Sequence, residues 1–128
     1  MLTSFLHRIA SYPAMYVLIQ RFAGHEVVDE NMRRSMDRVS TEQQLSILDV
    51  GGGTGKGGRL WSREASYICL EIDPLKLAAI ANNSAKGNGV LADATKIPFG
   101  NGVFDVVVCC LVAHHISDMR LPFLLQDL

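Results

Sequence analysis

The chain has 128 residues, of which 48% are hydrophobic and 20% charged, a composition that fits one globular domain and leaves no length for two. A formal net charge of -1 gives no basic excess for holding a phosphate backbone, so the composition argues against nucleic acid as a partner. The three cysteines lie in apolar runs, which is typical of reduced core residues in a cytoplasmic protein and predicts no metal site. The apolar stretch near the start is interrupted by Pro13, Gln20 and Arg21, so no membrane span is predicted.

The first part of the chain has a helical pattern. Apolar residues recur there at helical spacing, Gly24 marks a break, and a second, charged helix is predicted from about Val27 to Val39. A polar, linker-like run follows, after which the sequence changes to short apolar runs separated by glycines. We therefore predict a helical N-terminal extension over residues 1–44 and a second unit over residues 45–128.

Strands and helices alternate in the second unit. The predicted strands cover residues 45–50, 66–71, 89–92 and 104–111, and the predicted helices cover residues 54–64 and 74–82. Asp73 followed by Pro74 is typical of a helix cap and a first helical residue. Alternation of this kind predicts an α/β fold with a Rossmann-like parallel sheet flanked by helices and the strand order 3-2-1-4. The sheet is expected to stop after the fourth strand and the helix that follows it.

The first strand leads into a loop in which six of the eight residues from Gly51 to Gly58 are glycine. Glycine permits positive φ and lets the backbone approach a ligand closely, and the next helix offers its N-terminal N–H groups. A phosphate-binding P-loop needs serine or threonine after its lysine, but Gly57 follows Lys56. A dinucleotide fingerprint remains open, because the glycine spacing fits it and Glu71 supplies an acid at the end of the second strand.

Asp49 separates the two remaining ligand classes. It lies two residues before the first glycine of the loop. A carboxylate at this place faces a pyrophosphate unfavourably, whereas it suits a cationic ligand that carries an ammonium and a sulfonium group. The acid therefore favours S-adenosylmethionine over a nicotinamide dinucleotide.

Four segments, in order, resemble the motifs of class I S-adenosylmethionine-dependent methyltransferases of the methyltransferase type 11 kind. The first is the run in which Asp49 is followed by Gly51, Gly53 and Gly55 at every second position. The others are residues 70–74, residues 92–99, and residues 104–107 with the later pair His114 and His115. The resemblance covers about residues 45–125 and implies a cofactor-binding fold of that family.

The resemblance also implies roles for particular residues. Glu71 would accept hydrogen bonds from the ribose hydroxyls, Asp93 would accept one from the adenine amino group, and the backbone N–H of Ala94 would serve the adenine ring. His114 and His115 are the candidates for a general base. The full set of expected cofactor-binding residues is Asp49, Gly51, Gly53, Gly55, Glu71, Ile72, Asp93, Ala94 and Cys109.

Each acidic candidate also has a purely structural interpretation. Asp49 fits an ordinary acid at a strand end, Glu71 a surface carboxylate, and Asp93 an Asx-turn residue before a loop. Asp105 fits the start of a strand, and the two histidines fit a solvent-facing helix.

The functional hypothesis is methyl transfer to a small-molecule or lipid-like acceptor, because no segment typical of nucleobase amino methylation follows the fourth strand. A sheet that stops at an apolar fourth strand leaves an edge for a second copy or a complementing chain, and such a fragment is expected to have little activity alone. Two alternatives stay open: an NAD(P)-binding Rossmann domain, and a non-catalytic binding or assembly module that retains a vestigial pocket.

Overall fold

The computed structural model describes residues 25–39, 44–60, 66–83, 87–110, 112, 116–122 and 124. Within them the chain forms four strands and three helices, and residues 121, 122 and 124 are also helical. In chain order these are α1 (His25–Val39), β1 (Ser46–Val50), α2 (Gly57–Leu60), β2 (Ser66–Glu71), α3 (Pro74–Asn83), β3 (Gly87–Leu91) and β4 (Val106–Val108).

The four strands form one parallel sheet with the order β3-β2-β1-β4, which confirms the predicted fold class and strand order. In the register of the central pair, Asp49 lies beside Cys69 of β2 and beside Val108 of β4. The carboxyl ends of β1 and β2 therefore meet at one edge of the sheet, where the glycine loop and Glu71 lie. Within the described ranges nothing pairs with the outer edge of β4, and association with another chain there stays a prediction.

Each face of the sheet carries its own apolar cluster, because successive side chains of a strand point to opposite faces. The first cluster contains Met36, Ile47, Tyr67, Cys69, Ile80 and Val108. The second contains Leu48, Val50, Leu70 and Leu124, with Phe99 and Phe104 in edge-to-face contact beside them. Asp49 alternates with Leu48 and Val50 and so shares the face of the first cluster.

Several element boundaries differ from the predictions, and helix α1 begins at His25, two residues before the predicted Val27. The second helix begins at Gly57 and not at Thr54, because a turn closed by the Gly55 N–H and the Gly52 carbonyl oxygen, 3.1 Å apart, continues the loop. The third strand begins at Gly87, where it pairs with Tyr67. The fourth strand has three residues in place of the predicted eight, because only Val106–Val108 pair with β1, opposite Ile47, Leu48 and Asp49.

Helix α1 packs against the sheet. Met36 is buried in the first cluster beside Ile47, and Asp29 forms an ion pair with Lys56 of the glycine loop. The helix therefore shares a core with the sheet instead of standing apart from it. Across the helices that the structure describes, none combines the length and the apolar character needed to cross a membrane.

A hydrogen-bonded clamp joins the amino-terminal ends of β1 and β4. The Asp105 carboxylate accepts from the backbone N–H of Ser46 at 2.8 Å and from the Ser46 hydroxyl at 2.7 Å, while the Asp105 N–H donates to the Ser46 carbonyl oxygen at 3.0 Å. These bonds from Ser46 hold the pKa of Asp105 below its usual range. The interpretation of Asp105 as a residue that begins a strand fits this geometry.

We expect Asp105→Asn to lower the melting temperature at neutral pH. A carboxyl whose pKa is lowered in the folded state stabilises it above the unfolded-state pKa, and this contribution is lost as the pH falls through the folded-state pKa. In thermal melts followed by circular dichroism, the difference from wild type should therefore be smaller at an acidic pH, below the ordinary pKa of aspartate, than at neutral pH. Asp37→Asn, which alters an exposed carboxylate of α1, is the control. An equal difference at both pH values would show that the charge of Asp105 has no part in the clamp.

Candidate cofactor-binding site

The glycine loop turns sharply where β1 ends. Gly51 donates its N–H to the Leu70 carbonyl oxygen at 2.7 Å, which ties the start of the loop to β2. Gly51, Gly53 and Gly55 have φ values of 71°, 61° and 74°, a conformation that side chains with a Cβ atom rarely adopt. The alternation of glycines at every second position thus has a direct backbone cause.

Neighbouring side chains close around the loop. A Cβ atom on Gly51 would lie 2.3 Å from Cγ2 of Val112, and one on Gly55 would lie 3.0 Å from Cγ1 of Ile80. Val112 follows β4, and Ile80 belongs to α3. The loop is therefore held between two other parts of the fold, at distances that leave no room for a larger residue.

Glu71 is buried at the end of β2, with 6% of its surface exposed, so it is not the surface carboxylate of the alternative interpretation. One carboxylate oxygen accepts from the Gly53 N–H at 3.0 Å. The other accepts from the N–H groups of Ile72 and Asp73 at 2.9 Å and 3.0 Å. A single carboxylate thus links the glycine loop to the start of the turn after β2.

Asp49 lies beneath the loop with only 2% of its surface exposed. Its Oδ2 accepts a hydrogen bond from the Tyr67 hydroxyl at 2.6 Å. Burial, and to a smaller extent the nearby Glu71, raises the pKa of Asp49 to about 6, against the opposing effect of the Tyr67 hydrogen bond. The sequence placed Asp49 at a strand end, and the structure shows in addition that this acid is buried and partnered.

The two residues after Glu71 have different surroundings. Asp73 accepts from the Leu75 N–H at 3.0 Å through its side chain and from the Leu77 N–H through its carbonyl oxygen, which confirms the predicted cap of α3. Ile72 is 64% exposed beside the loop. An exposed apolar side chain at this position is accessible to a flat ring, and its binding role stays a prediction.

Asp93 forms the Asx-turn of the structural interpretation. Its Oδ1 accepts from the Thr95 N–H at 2.9 Å and from the Thr95 hydroxyl at 2.8 Å, and its Oδ2 accepts from Arg120. The Thr95 backbone hydrogen bond, followed by that of Arg120, lowers the pKa of Asp93 to about 2. A carboxylate oxygen accepts more than one hydrogen bond, so Oδ2 retains capacity for a ligand amino group. The adenine role of Asp93 stays a prediction.

The other predicted residues divide into two groups. Ala94 and Cys109 pack against the second apolar cluster, and burial raises the pKa of the Cys109 thiol. His114 and His115 lie outside the described residues, as does part of the segment around them. The structure therefore brings together Asp49, Glu71 and the three loop glycines, and leaves the candidate bases untested.

Two polar residues beneath the loop were missed by the sequence analysis. Tyr67 and Cys69 lie on the same face of β2 as Glu71, and the Cys69 thiol lies 3.9 Å from the Gly53 carbonyl oxygen. Burial is the main cause that raises the pKa of Cys69, to about 12, so the thiol is a neutral donor. The signal was the alternation of Tyr67, Cys69 and Glu71 along a strand next to β1.

Comparison with known proteins identifies the family. A family model described as a methyltransferase domain matches residues 48–124, which is more than half of the chain. The chain belongs to the S-adenosylmethionine-dependent methyltransferases. This confirms the predicted family and its cofactor, S-adenosylmethionine, and it favours the methyltransferase interpretation over the NAD(P)-binding alternative.

Three matches illustrate the range of this methyltransferase family. An uncharacterized methyltransferase of Mycobacterium sp. strain JLS is 36% identical over 74 residues, which cover 57% of this chain and 29% of that protein. The 18S rRNA (guanine(1575)-N(7))-methyltransferase of Saccharomyces cerevisiae is 32% identical over 78 residues, which cover 59% of this chain and 28% of that protein. The sugar N-methyltransferase KedS8 of Streptoalloteichus sp. ATCC 53650 superimposes with a TM-score of 0.66 at 26% identity, covering 88% of this chain and 47% of that one.

The exclusion of nucleic acid as a partner is not supported by these matches. One methyltransferase that the chain resembles acts on rRNA, according to its name. The exclusion rested on the net charge of these 128 residues, and the matches cover only 26% to 35% of the length of the curated relatives. The net charge of a chain that covers so little of its relatives does not decide whether nucleic acid is a partner.

The residues around the loop fit the cofactor of this methyltransferase family. Buried acids from two adjacent strands, Asp49 and Glu71, lie against one glycine loop, and their hydrogen bonds come from a neutral hydroxyl and from backbone N–H groups. Both acids are thus placed beside glycines of the loop, Asp49 against Gly52 and Glu71 against Gly53. A cationic ligand suits such an environment better than a polyphosphate does.

Proposed function

We propose that this chain binds S-adenosylmethionine through the glycine loop and Glu71, and that it belongs to an enzyme that methylates a small-molecule or lipid-like acceptor. The hydrogen bond from the Gly53 N–H to the Glu71 carboxylate carries the proposal. It places a buried acid directly against the glycine loop, at a residue whose positive φ favours glycine.

The cofactor supplies the methyl group and its leaving sulfur, and the residues of the chain bind and orient. Methyl transfer from a sulfonium is an in-line displacement, so holding donor and acceptor in line is the main requirement. Glu71 orients the ribose end, and the glycine loop lets backbone groups approach the donor. Asp49 contributes negative charge beneath the loop. His114 and His115 serve as a base only for an acceptor that must lose a proton.

Two observations bear on the class of acceptor. KedS8, a methyltransferase of sugars by its name, has a TM-score of 0.66 to this chain and supports a small-molecule acceptor. The yeast relative that methylates rRNA, at 32% identity, favours the second candidate, a nucleobase in RNA. The missing segment typical of nucleobase amino methylation after the fourth strand argues only against transfer to an exocyclic amino group, and not against transfer to a ring nitrogen such as N7. We favour the small molecule because the match to KedS8 covers 88% of this chain.

Calorimetric titration tests the cofactor. We expect S-adenosylmethionine and its demethylated product to bind at one site per chain, and NAD to show no heat of binding. Binding of NAD alone would refute the proposal, and binding of none of the three would support the vestigial module of the sequence analysis. A methyl-transfer assay with radiolabelled cofactor against sugars, lipids and rRNA then separates the acceptor classes, and transfer to rRNA alone would overturn the small-molecule proposal.

A further inference from the structure

One face of β2 presents three polar side chains to the underside of the glycine loop. Tyr67, Cys69 and Glu71 alternate along the strand and therefore point the same way. Glu71 accepts from the Gly53 N–H, and the Cys69 thiol lies within hydrogen-bond distance of the Gly53 carbonyl oxygen. Both backbone polar groups of Gly53 are thus met by this row of three residues, which we call the β2 row.

Tyr67, the third member of the β2 row, reaches the loop through Asp49. In the β1–β2 register Asp49 lies beside Cys69, so Tyr67 is its diagonal neighbour, and the Tyr67 hydroxyl donates to Asp49 Oδ2 at 2.6 Å. Both side chains are almost fully buried. A buried carboxylate oxygen with a buried hydroxyl donor is confined to one orientation, because losing that bond would leave a polar group without a partner.

The Asp49 carboxylate in turn supports the loop at Gly52. A Cβ atom on Gly52 would lie 2.6 Å from Asp49 Oδ2 and 2.8 Å from the Cys69 sulfur, so the Gly52 backbone rests directly on these two side chains. The oxygen that Tyr67 holds is the same oxygen that Gly52 approaches. Rotation of the carboxylate would therefore displace the peptide that precedes Gly53.

We propose that Tyr67 is a positioning residue of the cofactor site, whose hydroxyl fixes the Asp49 carboxylate and through it the Gly52–Gly53 backbone. The inference rests on the proposed function, because the site it serves is the S-adenosylmethionine site. It assigns to Tyr67 a role that is exerted through Asp49.

The charges around Asp49 give this role a measurable signature. Three groups of β2 face Asp49, namely Tyr67, Cys69 and Glu71. Cys109 and Cys110 follow β4 in the chain, and burial and the charge of Asp49 raise the pKa values of their thiols. The Tyr67 hydrogen bond opposes the upward shift that burial imposes on the pKa of Asp49. Removing the hydroxyl should therefore raise that pKa above its value of about 6.

The test is the affinity of Tyr67→Phe for S-adenosylmethionine, measured by calorimetry across a pH series. We expect affinity about fivefold weaker at neutral pH, the loss that corresponds to one net hydrogen bond. We also expect the acid limb of the affinity profile to move to higher pH, since the ionised Asp49 favours a cationic ligand. Ser35→Ala removes an exposed hydroxyl of α1 and is the matched control, with unchanged affinity and profile.

Two further measurements keep the outcomes distinct. Asp49→Asn keeps an acceptor for Tyr67 but cannot ionise, so its cofactor affinity should no longer fall at acidic pH. Adding Tyr67→Phe to Asp49→Asn should then leave the pH dependence of the affinity unchanged. Amide hydrogen exchange at Gly53 in the cofactor-free protein should be faster in Tyr67→Phe than in wild type.

Each outcome is decisive for one of the two proposals. Wild-type binding with an unmoved acid limb and unchanged Gly53 exchange in Tyr67→Phe would overturn the role of Tyr67. A wild type that binds no cofactor would overturn the proposed function, and the exchange rate would still show whether Tyr67 positions the loop. A uniform loss of affinity without movement of the acid limb would show that Tyr67 only adds stability.

Discussion

The Gly53→Val variant is expected to lose measurable binding of S-adenosylmethionine while it keeps most of its helix and strand content. Gly53 has a φ of 61°, a conformation that costs a residue with a Cβ atom about 1–2 kcal/mol and is least tolerated by β-branched side chains. The valine would also occupy the approach to the backbone whose N–H is bonded to Glu71. Calorimetry measures the binding, and far-ultraviolet circular dichroism measures the fold.

Gly102→Val is the matched control for this experiment. Gly102 has a φ of 73°, so the backbone strain is alike, but a Cβ atom there meets nothing within 4 Å. We expect this control to lower the melting temperature and to leave cofactor affinity unchanged. Full binding by Gly53→Val would mean that the loop is only a turn, and loss of binding in both variants would mean that general strain explains the result.

Glu71→Ala is expected to weaken S-adenosylmethionine binding about ten- to hundredfold, since a hydrogen bond to a charged group contributes roughly 1.5–3 kcal/mol. The variant removes the acceptor for the N–H groups of Gly53, Ile72 and Asp73 at once. We therefore also expect a lower melting temperature, because buried or partly buried N–H groups would lose their hydrogen-bond acceptor. Calorimetric titration and thermal melts measure the two effects separately.

Asp73→Ala distinguishes a local loss of stability from a loss of binding. It removes the cap of α3 two residues away, at a cost of about 1 kcal/mol, and it leaves the Glu71 carboxylate in place. The control should melt earlier yet bind the cofactor normally. Should Glu71→Ala fold and bind as tightly as Asp73→Ala, Glu71 has no place in the site.

Sequence patterns predicted the features of this fold that depend on residues close together in the chain. The order of the strands followed from their alternation with helices, and the cap at Asp73 followed from the Asp-Pro pair. The start of α2 was misplaced because the turn through Gly55 depends on φ angles that the sequence does not display. The length of β4 depends on how many of its residues pair with β1, which no pattern within residues 104–111 records.

In the candidate site too, positions set by local sequence were predicted, and contacts between residues distant in the chain were not. The positions of Asp49, Glu71 and the loop glycines were predicted from one motif and one strand end. Tyr67 was missed because its contact with Asp49 arises only from the diagonal neighbourhood of two paired strands. The Asx-turn at Asp93 was foreseen as an alternative, but its bond to Arg120 joins residues 27 positions apart, beyond the reach of any local rule.

The attachment of α1 has a practical consequence for anyone who dissects this protein. The family match begins at residue 48, which invites a shortened version that starts just before β1. Such a version would strip Met36 from the sheet and uncover Ile47, Tyr67 and Val108, and it would release Lys56 from Asp29. An uncovered apolar face promotes aggregation, and a loop lysine without its counter-ion adds positive charge near a ligand that is itself cationic. Helix α1 should therefore be kept when this unit is transplanted into a chimera or shortened for expression.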